Sequence, residues 1–130
     1  MSLTQKEDEY WRALGYHAEN VECQQGGRGR SSSKRDLFGF IDRVYIDSMG
    51  RMVYVQITST GNMLARLKKI REGTTGKGQW AIPMREIVGR LKMSGALVII
   101  AGWELNDRHH YERTEWSINC RLGEPTDGGS

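Results

Sequence analysis

The sequence predicts an α/β domain, one mixed sheet flanked by helices, from three observations. Two strand-like runs, LFGFIDRVYID (37–47) and RMVYVQITS (51–59), flank a DSMG turn signal. Apolar residues then recur at helical spacing, at Met63, Leu67 and Ile70 and again at Met84, Ile87, Val88 and Leu91. The continuous apolar run ALVIIAGW (96–103) reads as a buried strand.

In chain order, the first helix starts at a Thr4-x-x-Glu7 capping box, with Glu7, Asp8 and Glu9 set to favour the positive helix end. Tyr10, Trp11 and Leu14 form its apolar side, and Gly15 stops it. Residues 16–23 suggest a short strand. The run GGRGRSSSKR (26–35) is a Gly- and Ser-rich loop that no core can use. The two strands around the DSMG turn form a hairpin. Asn62 is the expected cap of the second helix, GTTGKG (73–78) a loop, and Pro83 the first turn of the third helix. Residues 114–120 complete the sheet as an edge strand. The predicted order is α-β-β-β-α-α-β-β.

The chain of 130 residues is the size of one domain, expected over 1–122 with a disordered tail, GEPTDGGS, at 123–130. No stretch reaches the ~18 apolar residues of a membrane span, and MSLTQKEDEY lacks the apolar run of a signal peptide. Cys23 and Cys120 form no CxxC, which excludes a disulfide scaffold and makes a cytoplasmic, reducing setting the expectation. The net charge of +3 is unevenly placed. Arg28, Arg30, Lys34 and Arg35 sit in the 26–35 loop with no acid, and RLKKIR (66–71) carries four more cations. Both suit a phosphate-binding surface; solvated loops and helix faces are the plainer reading.

If 37–47 is one regular strand, Phe38, Phe40, Asp42, Val44 and Ile46 share a face. Asp42 is then a lone carboxylate in an apolar row. On the return strand, Gln56 and Thr58 are polar groups in a strand that looks central. Burying such groups unpaired costs about 1–3 kcal/mol each. Either they have a use, or they lie at a strand end where solvent or loop backbone satisfies them.

An aspartate on one strand, a turn, and a triplet on the return strand make a pattern that resembles the PD-(D/E)XK nuclease superfamily. RDLFGFIDRVYID, VYVQITS and the helix GNMLARLKKI are similar to the catalytic hairpin of archaeal-type Holliday-junction resolvases and related phage-encoded endonucleases. The resemblance implies a restriction-endonuclease-like α-β-β-β-α-β core and a Mg²⁺- or Mn²⁺-dependent DNA endonuclease acting on branched DNA. It also implies a homodimer in the cytoplasm, the host's if the gene is a phage's. Asp42, Gln56 and the Ile57 carbonyl would hold the metal, with Asp36, Glu22 or Glu19 supplying a second carboxylate. The sequence departs from the family's acid-x-Lys triplet, which here reads Gln56-Ile57-Thr58. Thr58 stands where the lysine belongs, so Lys68 or Lys69 would have to reach back in its place. Arg28, Arg30, Lys34, Arg35, Arg66, Lys68 and Lys69 would contact the DNA backbone. The alternative is a nucleic-acid-binding protein that has lost catalysis on the same fold, and a protein-interaction domain is a third class.

Other motifs weigh less. GTTGKG fails the G-x-x-x-x-G-K-[ST] spacing, and His17, His109, His110 and the cysteines lack zinc spacing. Trp80, Trp103 and Trp116 read as core or strand-edge residues rather than base-stacking platforms.

Overall fold

The computed structural model describes residues 2–20, 23–25, 33–35, 37–121 and 124–126, with side chains for 2–18 and 37–118. Helix α1 is Leu3–Ala13, followed by strands β1 (His17–Asn20), β2 (Cys23–Gln25) and β3 (Ser33–Arg35). Strands β4 (Arg43–Ile46) and β5 (Met52–Ser59) precede helix α2 (Met63–Glu72). The short strands β6 (Thr74–Thr75) and β7 (Ile82–Pro83) lead into α3 (Met84–Met93). The chain continues as β8 (Leu97–Leu105), β9 (Tyr111–Ser117), β10 (Asn119–Arg121) and β11 (Glu124–Thr126). No helix among the described residues is long and apolar enough to cross a membrane.

The principal sheet has five strands in the order β1-β4-β5-β8-β9. The first three form an antiparallel meander, with His17 opposite Ile46 and Arg43 opposite Val55. Helices α2 and α3 carry the chain across, so β8 joins β5 in parallel, with Val53 opposite Leu97. The expected α/β class and mixed sheet are thus present, and the principal elements follow the expected order. The two-stranded pairs β2-β3, β6-β7 and β10-β11 lie outside this sheet.

The sheet is covered on both faces. Trp11 of α1 packs with Tyr45, Val53, Val55, Ile99 and Ala101 on one face. Met63, Leu67 and Ile70 of α2 and Met84, Ile87 and Val88 of α3 pack with Val44, Val98 and Ile100 on the other. Alternation along β4, β5 and β8 sorts residues between the faces. Gly102 in β8 allows the closest approach: a Cβ there would fall on the Met63 side chain, so the start of α2 lies directly on the sheet.

Several local expectations are corrected. The capping box of α1 is Ser2 with Gln5, not Thr4 with Glu7: Ser2 Oγ accepts from the Gln5 N–H at 3.2 Å, and Gln5 Oε1 from the Ser2 N–H at 2.9 Å. The earlier start leaves Glu7 and Asp8 facing the sheet, buried, rather than serving the helix dipole. Asn62 precedes α2 within a 3₁₀ turn, and its side chain makes no capping bond. Strand β9 starts at Tyr111, earlier than 114, and the chain leaves it after Ser117 as the buried Ile118 donates its N–H to the Val98 carbonyl at 2.8 Å. Glu124–Thr126 pairs with Asn119–Arg121, and 122–123 and 127–130, most of the expected tail, lie outside the described residues. Trp80 is neither core nor strand edge but 76% exposed.

The two buried carboxylates are fully employed. Glu7, at 0% exposure, accepts from Trp11 Nε1 at 2.7 Å, Trp103 Nε1 at 2.9 Å, and Arg113 Nε and Nη2 at 2.9 and 2.7 Å. Asp8 accepts from the Tyr45 hydroxyl at 2.8 Å and pairs with Arg43 at 3.3 Å. Burial first, then the Asp8 hydrogen bond, pushes the Tyr45 hydroxyl well above its ordinary 10.0.

Arg113→Met should destabilise the protein by about 3–5 kcal/mol in urea unfolding, because it strands the buried Glu7 charge; Glu7→Leu/Arg113→Met should recover part of that. Tyr45→Phe should cost about 1–2 kcal/mol at pH 7. Because the folded Tyr45 pKa is raised, its stabilising share is complete below the unfolded value and lost as pH rises beyond it. The gap between wild type and Tyr45→Phe should therefore narrow above about pH 10 in unfolding curves.

Candidate metal and phosphate site

The hairpin that carries the site is shorter than its sequence suggests. Asp47 Oδ1 accepts the N–H groups of Met49 and Arg51 at 2.9 and 2.8 Å and fixes the turn between β4 and β5. At the other end, 37–42 is not strand. Leu37 and Ile41 exchange both backbone hydrogen bonds, at 3.0 and 2.9 Å, around a tight turn with Phe38 at φ 55° and Gly39 at φ 82°. The expected common face of Phe38 to Ile46 therefore fails: Phe40 and Ile41 are both buried, and Phe38 is exposed. Gly39 inside the strand-like pattern was the signal for this bend.

Asp42 sits where the turn rejoins the sheet. Its N–H donates to the Val55 carbonyl at 2.8 Å, the last such rung before the turn. Beyond it the chain has turned away, and the side chain takes over: Asp42 Oδ2 accepts the Ile57 N–H at 2.7 Å. The same oxygen accepts Gln56 Nε2 at 2.8 Å. The two residues expected to cooperate thus meet across the β4–β5 pairing. The loop-end reading of Asp42 is also realised, since one of its partners is backbone.

The Gln56 amide is oriented by that contact. Only its NH₂ can face a carboxylate, so Oε1 is turned elsewhere. Gln56 is 3% exposed, and Oε1 has no hydrogen-bond partner among the described residues. An orphaned buried acceptor costs about 1–3 kcal/mol. A strand residue's N–H and C=O point to the same edge, so the Ile57 carbonyl is directed to the side where Asp42 lies. Oxygens of Asp42, Gln56 and Ile57 suit a hard cation that keeps several waters, as Mg²⁺ does. Among the described residues no three His, Cys, Asp or Glu side chains cluster as a metal site.

Thr58 is buried at 6% exposure on the same strand. Lys69 reaches back from α2, and its Nζ donates to the Gly39 carbonyl at 3.1 Å, within the turn that leads to Asp42. Lys68 is exposed and Arg66 half-buried on the same helix. Arg28, Arg30, Asp36 and Glu22 lie outside the described residues, as do the side chains of Glu19, Lys34 and Arg35. The backbone of Glu19 pairs with Val44, and that of Arg35 with Cys23.

Comparison with known proteins finds no matching family model, no similar curated protein and no similar solved structure.

Gln56→Glu tests the cation-holding capacity of this hairpin. A second carboxylate against Asp42 should lower the melting temperature in EDTA by like-charge repulsion. Millimolar Mn²⁺ should restore it, because a ligand that binds only the folded state stabilises it. A melting curve indifferent to Mn²⁺ would count against a metal site.

Proposed function

We propose that the protein is a metal-dependent DNA endonuclease on a restriction-endonuclease-like fold, acting on branched DNA. One observation carries the reading: Asp42 and Gln56 meet across β4 and β5, and Gln56 keeps a buried acceptor with no partner among the described residues. The order of elements adds support, since an antiparallel meander followed through helices by a parallel strand is the core the resemblance implies.

A bound Mg²⁺ or Mn²⁺ would polarise the scissile phosphate and activate a water. Asp42, Gln56 Oε1 and the Ile57 carbonyl would hold it, the Gln56 amide turning over so that Oε1 faces the cation in place of the Nε2–Asp42 hydrogen bond. Asp42 also positions the Ile57 peptide by accepting its N–H. Lys69 stands in for the lysine that Thr58 replaces: anchored on the turn beside Asp42, it places positive charge where a phosphate would gain it. Lys68 and Arg66 extend that charge along α2 toward the DNA backbone. A cytoplasmic homodimer fits the same reading.

A second reading has its own observation. Thr58 is buried and uncharged, and Lys69 is engaged by a carbonyl, so the same surface would bind DNA without cutting it.

Plasmid and four-way-junction cleavage in Mg²⁺ or Mn²⁺, against EDTA, separates the two. The endonuclease reading expects metal-dependent cleavage that Asp42→Asn lowers by about 100-fold or more. Salt-sensitive DNA binding without cleavage establishes the second reading. An absence of DNA binding at low salt overturns both.

A further inference from the structure

Beside the turn that leads to Asp42 stands a loop with no evident use in the core. It spans residues 76–81 and closes the short β6-β7 ladder, in which Thr75 pairs with Ile82. Its tip, Gly78–Trp80, is a 3₁₀ turn. Trp80 is 76% exposed, whereas Trp11 is 5% exposed and Trp103 and Trp116 are partly buried. A tryptophan held in water offers its large, flat π-face to a partner.

The backbone of the loop is tightly constrained around Trp80. Gly76 has φ 88°, and a Cβ there would come within 2.5 Å of the Trp80 carbonyl oxygen, so only glycine permits the close return of the chain. The Trp80 N–H donates to the Lys77 carbonyl at 3.0 Å, and the Ala81 N–H to the Gly78 carbonyl at 3.1 Å. The elements that flank the loop pack on the turn before Asp42: a Cβ on Gly39 would meet Met84 Cε of α3 at 3.0 Å and Thr75 Oγ1 of β6 at 3.4 Å. The same glycine's carbonyl holds Lys69.

Charge complementarity narrows the partner. From Gly73 to Arg85 the chain has no acid, and Lys77 beside the tip is exposed. Glu72 and Glu86 flank the segment, and Glu86 pairs with Arg90 at 3.7 Å. Lys68 and Lys69 are exposed on α2, which ends where this segment begins. An exposed indole in an acid-free segment that carries the exposed Lys77 matches the two parts of a single strand of nucleic acid, a π-face for the base and positive charge for the phosphate.

We infer that Trp80 is a stacking platform for an unpaired base of DNA held at the Asp42–Lys69 site, so that the protein favours single-stranded or unstacked segments over continuous duplex. This deepens the DNA-directed reading above and rests on it. Duplex bases are already stacked on one another, so the platform acts only where a strand is open, as at a junction or flap. Because the tip is exposed, truncating Trp80 leaves the core intact.

The test is binding of a single-stranded oligothymidylate and of a matched duplex at low salt in EDTA, followed by tryptophan emission and by anisotropy of a labelled strand. Single strand should quench the emission of the wild type. Trp80→Ala should abolish that quench and weaken single-strand binding by about 5- to 100-fold, the range one base–aromatic stack supplies. Duplex binding should change less than about twofold, since phosphate contacts carry it. Trp80→Phe should keep most of the single-strand affinity. If Trp80→Ala binds single strand as well as the wild type, or loses duplex affinity equally, the inference falls. Metal-dependent cleavage then leaves the endonuclease reading standing. If the wild type binds neither DNA, both fall together.

Discussion

The Glu7 carboxylate has no exposure to water, and the joining of α1 to the sheet depends on how it is satisfied. It accepts four hydrogen bonds, from Trp11 in its own helix, from Trp103 at the far end of β8, and twice from Arg113 on β9. A buried ion costs several kcal/mol unless its lone pairs are engaged, so this geometry tolerates few alternatives. Arg113 also spans to Glu115 at 2.7 Å, and its guanidinium lies 3.8 Å from the centre of the Tyr10 ring. Asp8, one residue on, reaches Arg43 and Tyr45 of β4 on the same face, on the other side of β5. Two adjacent carboxylates thereby tie the helix to β4, β8 and β9, the strands on either side of β5.

The candidate site lies on the other face of the sheet, the one that α2 and α3 cover. Val44, Val98 and Ile100 bury against α2 and α3 there, and the same face carries Gln56 and Thr58 where β5 runs past the end of β4. The tight turn at Phe38–Gly39 is what ends β4. It withdraws the backbone that would have paired with Ile57 and leaves Asp42 to supply an oxygen instead. The candidate site arises here because the ladder stops beside a carboxylate. Lys69, from the helix that crosses this face, stitches the turn to α2 through one carbonyl.

Much of this was legible in the residues. The DSMG turn, the apolar spacing of α2 and α3, and the ALVIIAGW run are local signals, and each appears where its period places it. Asp42 and Gln56 were visible as polar intrusions in strand-like runs, and they do meet. Illegible were properties that belong to two distant segments at once. Glu7 looked like a helix-dipole acid because its partner lies 106 residues away. Trp80 looked like core because nothing in GKGQWAIP tells that the loop carries it outward. The strand pattern around Gly39 hid a turn, since aromatic and β-branched residues can fill a buried bend as well as a strand.

By itself, then, the sequence determined the three helices and the central strands of the principal sheet, that one face of each must be buried, and which polar residues stand out. Periodicity and turn chemistry act over a few residues, and they suffice for that. Only the tertiary structure decided which of those polar groups is satisfied by packing and which is left over. Glu7 disappears into a set of partners, whereas Gln56 Oε1 has none among the described residues. The physical reason is desolvation: the cost of a buried polar atom depends on what the rest of the chain brings within about 3 Å of it.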